Sequence, residues 1–118
     1  MNKERLLNVA KALRESPSPE DFDMGTYITD CGTPGCALGH YAAREDLQSL
    51  LSLCGNRDIK FREGGSAWYA DSRISEHFEL GTPQLEELFD CTGCGRARTT
   101  EQAATYIEQF VANEGKRP

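Results

Sequence analysis

Apolar side chains recur at helical spacing near the start of the chain. The buried face that this spacing predicts consists of Leu6, Leu7, Val9, Ala10 and Leu13. Charged residues lie between them, so the pattern indicates an amphipathic helix over residues 3–15. The prolines within residues 16–19 end this helix, because a residue that precedes proline is driven out of the helical region.

Three further helices are predicted in the second half of the chain. Asp71 caps a short helix that Gly81 closes, and a Thr-Pro step at residues 82–83 begins the next one. Thr99 and Gln102 match a capping box, which begins the last helix. The side chains predicted to be buried on these helices are Ile74, His77, Phe78, Leu85, Leu88, Phe89, Ala103, Ile107, Phe110 and Val111.

The middle of the chain contains a helix-start signal followed by small residues. A Thr-Pro step at residues 33–34 predicts the start of a helix. Gly35, Gly39 and Ala43 then recur every four residues and form a small-residue ridge on which another backbone can pack closely. The leucines between residues 47 and 53 predict that the helix continues, straight or bent, to a glycine cap after Cys54.

A glycine pair at residues 64–65 separates two segments that predict β-strands. Residues 58–62 and 66–70 are the two strands of a small hairpin. Trp68 and Tyr69 either belong to the core or form a small aromatic binding face. We predict a mainly α fold, a compact domain of four to five helices with one small β-hairpin near residues 58–70.

Length and composition predict one globular domain. The chain has 118 residues, of which 27% are charged and 38% hydrophobic, so residues 1–118 can form one modest core. Residues 114–118 are expected to form a frayed tail. No apolar run reaches the length of a membrane span and no signal-peptide pattern opens the chain, which predicts a cytoplasmic protein without membrane association.

Five cysteines are the main candidates for chemistry. An odd number without a signal peptide favours free thiols or metal ligands over a disulfide framework. Cys91-x-x-Cys94-Gly has the spacing of a zinc knuckle, in which glycine supplies a positive φ. Together with Cys36 and either Cys31 or His40, this pair completes four ligands for Zn²⁺.

Three other interpretations of the same residues remain open. Buried cysteine and a single histidine commonly serve packing alone. Cys36 at a helix start with His40 one turn later could form a nucleophile and its base, which would make the protein a cysteine-dependent enzyme. A redox or regulatory disulfide is the remaining interpretation.

The charge of the chain restricts its partners. A net charge of −6 disfavours direct binding to nucleic acid, which requires a basic surface. The same charge suits a protein partner with a basic surface. Enzymatic activity is not predicted, since no complete catalytic set stands out.

A set of short motifs resembles a group of small proteins found in bacteria and their phages. The resemblance rests on a Cys-Gly-Thr-x-x-Cys-x-x-Gly segment, here Cys31 to Gly39, and on three further stretches. These stretches are Phe22-Asp23-Met24, Phe78 to Phe89 and Thr99 to Phe110. The resemblance implies a phage or prophage origin and a mostly helical fold, but no activity, and the Cys91–Cys94 pair is not part of it.

We therefore expect a non-enzymatic protein-binding module that acts on a host protein, in one version as an inhibitor of a host defence complex. A zinc-stabilised interaction module is the first alternative. A cysteine-dependent enzyme that uses Cys36 and His40 is the second.

Overall fold

The computed structural model describes residues 1–17, 19–25, 35–54, 58–90 and 93–116, with only the backbone described for Cys54 and Asp58. Within these ranges the α-helices are α1 (Lys3–Arg14), α2 (Ala37–Ala42), α3 (Ser72–Phe78), α4 (Thr82–Phe89) and α5 (Thr100–Ala112). The chain also forms a 3-10 turn (Pro19–Asp21) and two strands, β1 (Leu51–Cys54) and β2 (Asp58–Phe61). The predicted mainly helical fold with one small hairpin is confirmed.

Helices α1 and α5 pack side by side in the core. The predicted apolar face of α1 is buried except for Leu7, which is 43% exposed because its position is rotated away from the others. Arg14 joins the two helices by ion pairs to Glu101 and Glu108 of α5. The Cα radius of gyration of 12.6 Å is close to that expected of a compact chain of this length.

Helix α2 begins later than predicted. Cys36 has an extended backbone and is the N-cap, so Gly35 precedes the helix and Ala43 follows its last residue. The predicted small-residue ridge on a helix is therefore wrong. The Thr-Pro step at residues 33–34 lies outside the described residues.

Helix α2 also ends earlier than predicted. It stops at Ala42, and its predicted continuation through Leu53 is wrong. The side-chain amide of Gln48 donates to the carbonyls of Tyr41 and Ala42, at 3.3 and 3.4 Å, and so occupies acceptors that another helical turn would use. The leucines beyond residue 50 instead enter strand β1.

Strands β1 and β2 form the hairpin of the fold. They pair antiparallel with Leu51 opposite Phe61, and both of these side chains are buried. Of the hairpin predicted within residues 58–70, only the first strand forms, as β2. The second predicted strand, residues 66–70, makes a single bridge to β2, with a 2.9 Å hydrogen bond from the Ala67 N–H to the Ile59 carbonyl. Most of the pairing partner of β2 therefore precedes it in the chain.

Helices α3 and α5 begin at the predicted caps, and α4 begins at the predicted Thr82-Pro83 step but is capped by Gly81. Asp71 and Thr99 each accept a backbone N–H in the first turn of α3 and α5. The prediction that Gly81 ends α3 is wrong. Glu79 ends α3 with a left-handed backbone (φ 55°), and Gly81 is the N-cap of α4.

The segment predicted to be frayed makes contacts as far as it is described. Glu114 forms a 2.9 Å ion pair with Lys3, and the Gly115 carbonyl accepts a 3.1 Å hydrogen bond from Gln84 of α4. Residues 117–118 lie outside the described residues.

Candidate functional site

The structure describes three of the five predicted metal ligands, Cys36, His40 and Cys94. Cys31 and Cys91 lie outside the described residues. Among the described residues, no group of three or more His, Cys, Asp or Glu side chains is arranged to hold a metal ion. The four-ligand zinc site therefore stays a prediction, because each version of it requires at least one residue that the structure does not describe.

The Cys36 thiol is a buried cap of helix α2. Its Sγ accepts the Gly39 N–H at 3.5 Å, and the residue is 2% exposed. Burial raises the pKa of Cys36 to about 11. The thiol is therefore protonated at neutral pH, which removes the low-pKa thiolate that nucleophilic chemistry needs.

Both ring nitrogens of His40 have partners other than the Cys36 thiol. Nδ1 donates to the Cys36 backbone carbonyl at 2.9 Å, and this bond fixes the tautomer because a carbonyl can only accept. Nε2 accordingly accepts from the Ser16 hydroxyl at 3.0 Å. This arrangement gives His40 no contact through which it could act as base toward the Cys36 thiol, and it leaves neither ring nitrogen open to a metal.

Cys94 lies in a left-handed turn at Gly93–Arg96. The predicted positive φ of Gly95 (64°) is confirmed, and Cys94 itself has a φ of 54°. The Cys94 thiol donates to the Leu88 carbonyl at 3.2 Å. Burial, together with the charges of Cys36 and Glu87, raises the pKa of Cys94 to about 12. Cys36 and Cys94 both belong to the buried core.

A hydrogen bond between Tyr41 and His77 is a partly buried polar contact that sequence patterns did not reveal. The Tyr41 hydroxyl lies 2.7 Å from His77 Nε2, and the His77 ring stacks edge-on against Phe78. Burial, together with the charge of Arg5, lowers the pKa of His77 to about 4. Sequence spacing placed His77 on the inner face of its helix, but it could not identify a partner 36 residues away.

We predict that the protein loses stability as the pH falls from about 6.5 to 4. An unfolded histidine titrates near 6.5, whereas folded His77 stays neutral down to about 4. The unfolded state alone binds the proton in this window, so His77 contributes a loss of about 2 kcal/mol at pH 5. Burial also lowers the pKa of His40, which acts in the same direction. Urea unfolding at pH 7 and pH 5 measures the loss.

His77→Gln is the control for this pH dependence. Glutamine keeps an acceptor for the Tyr41 hydroxyl but does not titrate, so the variant should lose less stability between pH 7 and pH 5 than the wild type. An identical loss in both proteins would exclude His77 as the cause.

The carboxylates of α3 and α4 form a group of acidic residues on the described surface. Residues 74–90, which we call the acidic segment, contain no lysine or arginine and five acidic residues: Glu76, Glu79, Glu86, Glu87 and Asp90. Of these, Glu76, Glu79 and Glu86 are exposed, and none of these three makes an ion pair with another described residue. Three exposed carboxylates without an ion pair to a described residue thus lie on α3, its C-cap and α4, and the guanidinium of Arg5 reaches this segment through a 2.8 Å hydrogen bond to the His77 carbonyl.

Elsewhere on the described surface, several acidic side chains are neutralised by arginine. Arg44 forms 2.8 Å ion pairs with both Glu15 and Asp46. Arg14 binds two carboxylates of α5. The acidic segment differs from these regions in that it lacks a basic residue of its own.

The segment that follows strand β2 carries an exposed aromatic residue. Trp68 is 58% exposed, and its ring lies edge-on to that of Tyr69 with centroids 5.4 Å apart. Of the neighbouring basic residues, Arg73 pairs with Asp71 and lies 3.6 Å over the Phe61 ring. Trp68 is therefore a surface residue rather than part of the core, but the arginine beside it is already bound within the protein.

Two general observations also bear on the function of the protein. None of the described helices has both the length and the apolar character required to cross a bilayer. Comparisons with protein-family models, with curated proteins and with solved structures find no match to this chain. The function must therefore be inferred from the surface charge and the buried polar groups.

Proposed function

We propose that the protein is a non-enzymatic, cytoplasmic protein-binding module whose acidic segment binds a basic surface of its partner. The specific form that we propose is a phage or prophage protein that inhibits a host defence complex. The observation that carries the proposal is that Glu76, Glu79 and Glu86 are exposed and make no ion pair with another described residue.

The charge of the acidic segment supports binding to a basic protein surface. Three of its five carboxylates, those of Glu76, Glu79 and Glu86, are exposed and make no ion pair with another described residue. Unpaired carboxylates at the surface lose no internal ion pair when a partner approaches, and complementary charge increases both the association rate and the specificity.

The packing of α3 and α4 supports a preformed binding surface. Their inner faces are anchored in the core by Ile74, Phe78, Leu85, Leu88 and Phe89. The exposed carboxylates on the other faces are thus held on helices whose backbone is already ordered. A preformed surface loses less conformational entropy on binding than a flexible loop.

The inhibitor proposal has further support from the sequence. Small size, acidity and the resemblance to proteins of bacteria and their phages are all consistent with it. The buried, protonated thiol of Cys36 and the engaged ring of His40 favour a binding role over cysteine chemistry.

Charge reversal in the acidic segment tests this proposal. We expect Glu76→Lys/Glu79→Lys/Glu86→Lys to abolish the retention of host proteins that the immobilised wild type binds from a bacterial lysate. The wild-type interaction should weaken by at least about 10-fold between 50 and 300 mM salt, because salt screens exposed charges. Quantitative mass spectrometry of the retained proteins measures both effects.

The matched control is Glu4→Lys/Glu20→Lys/Glu63→Lys. It changes the net charge by the same amount through exposed acidic residues outside the acidic segment. The control should retain the same host proteins as the wild type. Equal loss in both triple variants, or retention that does not depend on salt, would refute a localised acidic binding surface.

A zinc-stabilised module is the second candidate, and the burial of Cys36 and Cys94 in the same core cluster favours it. Cys31 precedes Cys36 by five residues and Cys91 precedes Cys94 by three, so all four sulfur atoms could bind one Zn²⁺. In that case metal binding would contribute directly to folding. Native mass spectrometry with and without chelator distinguishes the two candidates, since only the second requires bound zinc.

A further inference from the structure

A groove lies between the segment that follows the 3-10 turn and the segment that precedes α5. Phe22, Asp23 and Met24 form one wall, and Arg96, Ala97 and Arg98 form the other. The groove is open to solvent on one side and has a volume of about 440 Å³. We call it the arginine groove.

The two arginines of this groove are not used within the described part of the protein. Arg96 and Arg98 are exposed, and neither makes an ion pair with another described residue. The chain has a net charge of −6, whereas this groove carries two guanidinium groups that make no ion pair with another described residue. Guanidinium groups bind phosphate oxygens with good geometry and charge-assisted hydrogen bonds.

The backbone that carries the arginines is strained. Cys94, Gly95 and Arg96 have consecutive positive φ values of 54°, 64° and 61°. A left-handed conformation costs roughly 1–2 kcal/mol for a residue other than glycine. Such strain persists only where the surrounding structure enforces it, and it concentrates at functional sites.

The opposite wall offers different chemistry. Phe22 is partly buried, with its ring centroid 6.0 Å from that of His40. Asp23 is exposed and uses one carboxylate oxygen to accept the Gly25 N–H at 2.8 Å. The groove therefore combines two cations, an aromatic ring and a hydrogen-bond acceptor.

We propose that the arginine groove binds a mononucleotide, with the phosphate on Arg96 and Arg98 and the base against Phe22. Aromatic side chains stack on nucleobases without requiring a particular sequence. A carboxylate near the phosphate site accepts hydrogen bonds from ribose hydroxyls, as in dinucleotide-binding folds. Phe22 and Asp23 distinguish a nucleotide from inorganic phosphate and from an acidic peptide, because neither of these carries a base to stack on Phe22 or a ribose hydroxyl to donate to Asp23.

Isothermal titration with AMP, GMP, CMP and UMP tests this proposal. We expect at least one of them to bind, and Arg96→Gln and Arg98→Gln each to weaken that binding by at least about 10-fold, the loss of one charge-assisted hydrogen bond. Lys11→Gln, which removes a positive charge from an exposed position of α1, should bind as the wild type does. Phe22→Leu should weaken binding of the nucleotide without affecting binding of inorganic phosphate.

Asp23→Asn tests the ribose contact separately. The amide keeps an oxygen for the Gly25 N–H, but it loses the negative charge, so the variant should discriminate less between AMP and its 2′-deoxy form. The acidic-segment triple variant should bind nucleotides normally, because its substitutions lie outside the groove.

Several results would overturn the proposal. One is the absence of binding by any of the four nucleotides at about 1 mM. A second is an unchanged affinity for the nucleotide in both arginine variants. A third is that inorganic phosphate binds as tightly as the best nucleotide, and a fourth is that a glutamate-rich peptide competes as well as that nucleotide. A thermal melt of each variant confirms that it is folded before its affinity is compared.

Discussion

Gln48→Met should destabilise the fold by about 2–4 kcal/mol, the range expected when a buried hydrogen-bond network is broken. Gln48 is 7% exposed and lies between the end of α2 and the start of β1. Methionine has a similar volume, so packing is largely conserved and the change removes mainly the hydrogen bonds. Urea unfolding of wild type and variant at pH 7 measures the difference.

The size of this effect follows from the number of backbone groups that one amide satisfies. Gln48 Oε1 accepts the N–H groups of Leu50 and Leu51, at 2.8 and 2.7 Å. Nε2 donates to the Leu51 carbonyl at 2.9 Å and approaches the last carbonyls of α2. Without the amide, the N–H groups of Leu50 and Leu51 lose the acceptor that Gln48 provides and retain the cost of desolvation. The carbonyls of Tyr41 and Leu51 keep donors in the Arg44 N–H and Arg62 Nε.

Gln109→Met is the matched control for the amide. Gln109 lies on the exposed face of α5, so the same substitution there should change stability by less than about 0.5 kcal/mol. Similar losses of stability at both positions would show that the effect comes from the residue type rather than from the hydrogen bonds by which Gln48 joins α2 to β1.

Gly93→Ala should cost about 2–3 kcal/mol, because the added Cβ overlaps the backbone. An ideal Cβ at Gly93 would lie 2.7 Å from both the carbonyl carbon and the carbonyl oxygen of Leu88. That oxygen accepts a hydrogen bond from the Cys94 thiol, so movement of the backbone at Leu88 would also disturb the left-handed turn. The free energy of unfolding from chemical denaturation measures the cost.

Gly81→Ala provides the comparison for a glycine in open space. A Cβ at Gly81 would meet only Pro83 Cδ, at 3.8 Å, so we expect a loss below about 1 kcal/mol from the weaker N-cap. If Gly93→Ala were tolerated as well as Gly81→Ala, the close approach of residues 88 and 93 would be incorrect.

Local signals in the sequence were sufficient for the helices that begin with strong caps. Asp71 and Thr99 were predicted as the starts of α3 and α5, and both accept a backbone N–H there. The apolar period of α1 predicted its buried side, with Leu7 as the exception. These signals succeed because capping and helical spacing depend on residues within one turn of each other.

Long-range contacts account for the predictions that failed. The leucines between residues 47 and 53 fit a helix as well as a strand, and the choice was made by pairing with residues 58–61 and by the Gln48 amide. A run of apolar residues does not carry that information by itself. The end of α2 was therefore misplaced although each local pattern was recognised.

The candidate site was only partly predictable for the same reason. The sequence identified Cys36, His40 and Cys94 and suggested that they share a region. It did not reveal that Ser16 is the partner of His40 Nε2 or that Tyr41 is the partner of His77, since these contacts span 24 and 36 residues. The acidic segment, in contrast, is visible in the sequence, but its exposure on two packed helices is not.

Hydrogen–deuterium exchange of the complex with a retained host protein tests the central claim most directly. The measurement compares amide exchange in the free and bound protein along the whole chain. Binding through the acidic segment predicts slower exchange in residues 74–90, with little change on the outer face of α1. Slower exchange elsewhere, with residues 74–90 unchanged, would contradict the claim that the protein recognises its partner through the carboxylates of α3 and α4.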